Sequence, residues 1–120
     1  MRLSNILEQY EEYRRFRQVL DTGTAPISVA GVAESAQAQL IYETAMERGA
    51  VVIAYSDMEA RALYDDLCYF TERARYFPAK EYVFYNIEAT GREREHQRLA
   101  CLHALAAGGE SAIIVTSLEA

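Results

Sequence analysis

The residues best placed to do chemistry in this sequence are the eight that follow its first predicted strand. They read Gly31-Val32-Ala33-Glu34-Ser35-Ala36-Gln37-Ala38. In a fold of alternating strands and helices, this first strand-to-helix turn is a common ligand site. A phosphate-binding loop has the form G-x-x-x-x-G-K-[ST], in which backbone amides surround the phosphates, the lysine meets them and the hydroxyl binds Mg²⁺.

Laid on that pattern, the segment keeps only its first glycine, Gly31. Ala36 stands in place of the second glycine, Gln37 in place of the lysine, and Ala38 in place of the hydroxyl. Glu34 adds a carboxylate inside the loop, where it repels a triphosphate. The sequence therefore predicts a vestigial phosphate loop, a tight turn that does not bind ATP.

The other reactive side chains form no catalytic or metal-binding pattern. His96 and His103 are two helical turns apart, whereas a helical metal site uses an i, i+4 pair. Cys68 and Cys101 make no C-x-x-C motif, and both lie on predicted apolar helix faces as small core residues. No serine has a G-x-S-x-G setting. We expect no catalytic residue, no metal and no cofactor.

Aromatic and basic residues supply one candidate contact surface. The chain has nine tyrosines and four phenylalanines, and seven of these thirteen residues lie in the segment from Tyr69 to Tyr85. Tyr82 and Tyr85 fall in a loop-like stretch, where they either pack within the chain or face a partner. Arg92 and Arg94 follow in a mixed-charge run whose ordinary role is a solvated helix face. These four residues are the candidate surface.

Composition limits the classes of function. The chain has 120 residues, 51% of them apolar, and 12 basic against 18 acidic side chains give a formal net charge of -6. That is one domain's worth, and the acidic balance disfavours direct binding of a nucleic acid, whose phosphates call for a basic surface. No apolar run is long enough to span a bilayer, no signal-peptide core follows Met1, and cysteine usage suits a reducing compartment. We expect a cytoplasmic protein without membrane contact.

Hydrophobic periodicity predicts the elements that position these residues. Residues 1–24 contain an amphipathic helix and a linker, and residues 25–120 form an α/β domain. Strands are predicted at 27–30, 51–55, 74–77 and 112–116, the second of them covered on both faces. Capping boxes at Ser56 and Thr90 open two of the helices. Leu99, Leu102, Leu105 and Ala106 are the predicted buried stripe of the last helix.

This alternation predicts a three-layer α/β fold with a parallel sheet and an extra N-terminal helix. The sequence ends four residues past a strand, which suggests part of a longer chain.

An ordered set of segments resembles a known family. The residues 27–35, 55–67, 77–85 and 114–120 resemble the N-terminal region of the bacterial transcription-repair coupling factor (Mfd) family, along nearly the whole chain. That region is similar to the first domain of the excision-repair helicase UvrB, a P-loop lobe whose intact phosphate loop corresponds to 31–38 here. The resemblance implies a UvrB-like fold without ATPase function.

The resemblance also implies a parent protein and its partners. Members are ATP-dependent DNA translocases that displace stalled RNA polymerase and recruit UvrA for nucleotide excision repair. The ATP and Mg²⁺ of the motor, and the contacts to UvrA, RNA polymerase and DNA, would lie beyond Ala120. This chain would be a non-catalytic scaffold whose partners are the neighbouring domains of the parent.

Compared with UvrB, the segment 77–91 is shorter and lacks the long DNA-threading hairpin, so direct DNA contact through Tyr82 and Tyr85 is not expected.

Two alternatives follow from the same residues. One alternative is the nucleotide-binding lobe of a UvrB-like helicase with an atypical phosphate loop. The other, a flavodoxin-like or receiver-like domain, needs an acidic cluster or a phosphate-binding hydroxyl loop after the first strand, and Ala30-Gly31-Val32-Ala33 supplies neither.

Overall fold

The computed structural model describes residues 6–23, 26–80, 88–108 and 111–120, with only the backbone for 88–91. After a 3-10 turn at Leu7–Gln9, the described elements in chain order are α1 Glu11–Thr22, α2 Glu34–Ala45, β1 Ala50–Ala54, α3 Asp57–Cys68, β2 Ala74–Phe77, α4 Glu88–Ala107 and β3 Ile113–Ser117.

The three described strands form one parallel sheet in the order β1-β3-β2. Val52 of β1, Val115 of β3 and Tyr76 of β2 stand side by side in register. The chain crosses from β1 to the far edge through α3 and returns to the centre through α4. The two connections run in opposite directions across the sheet and pass over its opposite faces. They therefore have the same handedness, as crossovers between parallel strands require.

One face of the sheet carries the main core. Val115 and Leu67 are fully buried there, together with Ala60 of α3 and Ala74 of β2. Ala38 brings α2 into the same cluster. Small residues at three of these positions let the helices approach closely, so the central strand and the inner face of α3 exclude water together.

The opposite face carries α4. The guanidinium carbon of Arg98 lies 4.2 Å from the centre of the Phe77 ring, and the Cys101 thiol is 3.2 Å from the carbonyl oxygen of Tyr76. Helices thus cover both faces of a parallel sheet, which confirms the α/β class predicted from the sequence.

The predicted strand at 27–30 does not form among the described residues. Residues 26–33 have no regular secondary structure, and Val29 is exposed. A strand exists only through hydrogen bonds to a neighbour, and no described strand lies beside this segment. The prediction of full cover for 51–55 was also wrong: Val51 and Ile53 remain 62% and 61% exposed on the sheet edge.

The helix ends follow local signals in two cases and not in a third. Gly23, at φ 63°, ends α1 where the sequence predicted. The Glu59 amide donates to the Ser56 hydroxyl over 3.2 Å, which confirms that capping box. The box at Thr90 was wrong, because α4 already begins at Glu88 and encloses that residue.

The buried side of α4 is not the one predicted. Leu99, Leu102 and Leu105 are all more than half exposed, whereas Cys101 faces the sheet. Arg94 and Arg98 occupy the same inner side because each donates to a backbone carbonyl after β2. Cys68 is exposed as well, contrary to the predicted core position.

Gly49 fixes the approach of β1 to the strand beside it. Its φ is 72°, and a Cβ at this position would lie 2.9 Å from the carbonyl oxygen of Ala112. Only glycine combines that backbone conformation with so close a contact. The turn after α2 therefore delivers β1 directly into register with β3.

Candidate functional site

The vestigial phosphate loop is mostly helix. Gly31 has a positive φ of 78° just before α2, and Ala33 is the N-cap residue with no side-chain cap hydrogen bond. The Ala36 amide already donates to the Ala33 carbonyl over 2.8 Å. A phosphate loop holds its ligand with backbone amides ahead of the helix. Here α2 starts at Glu34, so five of the eight candidate positions belong to the helix.

The residues at the key positions point to different environments. Ala38, in place of the Mg²⁺-binding hydroxyl, is only 3% exposed and packs in the core cluster. Gln37 is exposed, and Glu34 places its carboxylate in the first turn of the helix. The predicted residues are neighbours in the sequence, but their side chains lie in different environments and do not surround one ligand position.

An open cleft of about 710 Å³ lies beside this segment. Its apolar lining includes Val29 and Val32 ahead of α2, Ile41 of α2, Ile53 of β1 and Leu63 of α3. Three carboxylates also line it, from the residues Glu34, Glu59 and Asp66. Among its described lining residues there is no lysine, arginine or histidine. The cleft is therefore apolar and acidic, an environment that repels phosphate.

A polar cluster around Asp57 holds the carboxyl end of β2. The Tyr76 hydroxyl donates to Asp57 Oδ1 over 2.5 Å, and the Ala79 amide donates to the same oxygen over 3.2 Å. Burial and the neighbouring carboxylate raise the pKa of Tyr76 well above its ordinary value. The phenol remains protonated and acts as a hydrogen-bond donor. This arrangement ties the start of α3 to the turn after β2.

Of the candidate contact surface, two residues lie in the described part and two do not. Arg92 is exposed. Arg94 is half-buried and donates to the Ala79 carbonyl over 3.3 Å, so it stabilises the turn after β2. Tyr82 and Tyr85 lie outside the described residues, and their prediction stays open.

A buried carboxylate between α1 and α2 was missed in the sequence. Glu43 is 6% exposed, and its side chain accepts hydrogen bonds from Gln39, over 3.0 Å, and from the Tyr13 hydroxyl. Arg17 donates to the Glu43 carbonyl over 3.2 Å. The available signal was a single acidic residue among the inward positions of α2, near Leu40 and Ala45.

Neither nucleophilic nor metal chemistry is indicated in the described residues. Burial raises the pKa of the Cys101 thiol, which keeps it protonated and unreactive. No group of three or more histidine, cysteine or acidic side chains gathers for a metal ion in this part of the chain. None of the described helices combines the length and apolarity needed to cross a bilayer.

Comparisons of the chain with protein-family models, with curated proteins and with solved structures found no match.

Proposed function

We propose that this chain is a non-catalytic interaction domain of the transcription-repair coupling factor type, a UvrB-like α/β lobe that serves as a scaffold for neighbouring domains. Its parent would be an ATP-dependent DNA translocase of nucleotide excision repair in the cytoplasm. UvrA, RNA polymerase and DNA would be bound by other parts of that parent. The alternative is a nucleotide-binding helicase lobe with an atypical phosphate loop.

The observation that carries the proposal is the position of Ala38. The residue that should present a hydroxyl to Mg²⁺ is a buried methyl group in the core, on a helix that begins at Glu34, four positions before it. The helix leaves no loop to surround a triphosphate, and the nearby Glu34 repels one. These features favour the scaffold over the nucleotide-binding lobe.

The charge of the described surface gives further support. The cleft beside α2 is acidic, and Arg94 and Arg98 are already engaged with backbone carbonyls. A nucleic-acid site depends on basic side chains that are available to phosphates. The arrangement favours protein partners over nucleic acids.

Titration calorimetry with ATP–Mg²⁺ separates the two functions. We expect no saturable heat from the natural chain. The comparison variant is Gln37→Lys with Ala36→Gly, which restores two motif positions without placing a hydroxyl in the core at Ala38. We expect this variant to stay silent too, because the helix start is unchanged. Micromolar binding by the natural chain would overturn the scaffold proposal.

The family assignment is tested in cells that carry the full gene. Replacement of the coding segment for this chain is expected to abolish faster repair of the transcribed strand over the other strand after ultraviolet damage. Gln37→Ala, which changes only an exposed side chain, is expected to leave strand-selective repair intact. Unchanged strand bias after the segment replacement would refute the assignment.

A further inference from the structure

The helix α1 is attached to the rest of the fold by shallow contacts. Of its 12 residues only Tyr13 is buried; Phe16, Arg17 and Leu20 are half-buried and the others are exposed. The rings of Tyr13 and Phe16 lie 6.3 Å apart. A helix of this length has little stability of its own in water, so α1 depends on the few contacts that hold it in place.

Polar contacts join α1 to α2 and to the turn that follows α2. Arg17 donates to the Glu43 carbonyl over 3.2 Å, and Arg48, just after α2, forms an ion pair with Asp21. Arg48 and Asp21 are exposed, so water competes for their charges and the ion pair contributes little. The hydrogen bond from the Tyr13 hydroxyl to the Glu43 carboxylate joins two buried residues instead. It is the contact of α1 that is best protected from water.

The groups around the Glu43 carboxylate do not balance its charge. Tyr13 of α1 and Gln39 of α2 donate hydrogen bonds to it, Glu8 of the 3-10 turn adds a second negative charge, and Arg17 of α1 is the cation that faces it. The Arg17 guanidinium is bonded to the backbone carbonyl, and among the described residues the carboxylate forms no ion pair. Burial accordingly raises the pKa of Glu43 above its ordinary value of 4.5. Ionisation of this group therefore favours any conformation in which water reaches it.

From this geometry we infer that α1 is a strap whose docking on α2 is controlled by the protonation of Glu43: it closes over the neutral carboxyl group and opens more readily when that group is ionised. Opening gives the carboxylate to water and removes only one buried residue of α1, Tyr13, from its contacts.

The rest of the fold can stay in place while the strap opens. The core cluster of the described residues is built from α2, α3 and the three strands, with Leu67 and Val115 at its centre, and it includes no residue of α1. The opening is therefore local and costs less free energy than global unfolding. This inference goes beyond the proposed function and does not depend on it.

Hydrogen–deuterium exchange of the whole chain, read by mass spectrometry of peptic fragments, measures this opening. The protection of the α1 amides, corrected for the intrinsic exchange rate at each pH, is compared with that of the α3 amides. We expect α1 to be protected at least about tenfold less than α3, because it opens locally. Its protection should fall about threefold or more between about pH 4.5 and 7, because the closed state holds the proton of Glu43 more tightly. Equal protection of the two helices, or α1 protection that does not fall, would overturn the inference.

Two glutamates provide a matched pair of variants. Glu43→Gln keeps a neutral acceptor for Tyr13 and cannot ionise, so the protection of α1 should stay constant over the same pH range. Glu47→Gln, at an exposed position just past α2, should keep the fall. A fall that persists in Glu43→Gln, or that Glu47→Gln also removes, would overturn the role assigned to Glu43.

Two tyrosines provide a second pair. Tyr13→Phe keeps the ring but removes the hydroxyl whose hydrogen bond supports the charged carboxylate of Glu43, so the fall in α1 protection with pH should become steeper. Tyr10→Phe deletes the same group from a residue that is 58% exposed, and should leave the fall unchanged. Equal effects of the two variants would refute the contact as the control of the strap.

Discussion

The hydroxyl of Tyr76, in β2, donates a 2.5 Å hydrogen bond to Asp57 Oδ1, at the first turn of α3. The same oxygen accepts a hydrogen bond from the Ala79 amide, 22 residues later in the sequence. One carboxylate therefore joins a strand, the start of a helix and a turn. This contact fixes the carboxyl end of the sheet, next to the turn that Arg94 and Arg98 also stabilise.

Removal of the Tyr76 hydroxyl should therefore destabilise the fold. Tyr76→Phe is expected to lower the free energy of unfolding by about 1–2 kcal/mol, because a partly buried carboxylate loses its donor. Tyr69→Phe deletes the same group from a residue that is 90% exposed, and should change stability by less than about 0.5 kcal/mol. Urea unfolding measures both. Equal effects would show that the contact is not stabilising.

The orientation of α4 is tested by two leucine truncations. Leu67→Ala, in the core, is expected to cost about 2–5 kcal/mol, through lost burial and the cavity left behind. Leu102→Ala, at a position 53% exposed, should cost less than about 0.5 kcal/mol. If Leu102→Ala is as costly as Leu67→Ala, the leucine stripe faces the core as the sequence predicted.

The Glu43 carboxylate should make stability depend on pH. Burial raises its pKa above the ordinary value of 4.5, and Glu8 adds to the rise; hydrogen bonds from Gln39 and Tyr13 and the charge of Arg17 oppose it. The folded state then holds the proton more tightly than the unfolded state. This contribution to stability is complete below pH 4.5 and is lost as pH rises through the folded pKa.

Glu43→Gln keeps an acceptor for Tyr13 and removes the titration. We expect the stability of this variant relative to the natural chain to rise between about pH 4.5 and 7, measured by urea unfolding at each pH. Glu47→Gln, at an exposed position nearby, is the control. A relative stability that falls with pH would mean that the charged form of Glu43 is favoured in the fold.

Two adjacent hydroxyls at the end of β3 should respond in opposite ways. Thr116 Oγ1 donates to the Phe77 carbonyl over 3.1 Å, so Thr116→Val is expected to cost about 0.5–1.5 kcal/mol. The buried Ser117 hydroxyl has no hydrogen-bond partner among the described residues, so Ser117→Ala should be neutral or stabilise by up to about 1 kcal/mol. Thermal unfolding compares them. A clear loss with Ser117→Ala would reveal a partner for that hydroxyl.

The sequence by itself determined the elements whose signals are local. The β-branched runs located β1 and β3 to within one residue, β2 was predicted at its observed bounds, and the Ser56 capping box and Gly23 placed two helix ends. The mismatches to the phosphate-loop motif at Gln37 and Ala38 were equally visible. Such features depend on a residue and its near neighbours, so no tertiary information is needed to find them.

Only the tertiary structure decided which surfaces meet. The segment 27–30 has strand composition but pairs with no described strand, because pairing needs a neighbouring strand that no local pattern supplies. The leucines of α4 form an amphipathic stripe, yet Arg94, Arg98 and Cys101 face the sheet, because the carbonyls after β2 favour hydrogen-bond donors on that side. The burial of Glu43 also depends on tertiary structure. Its partner Tyr13 lies on another helix, 30 residues earlier, and long-range contacts of this kind are set by packing.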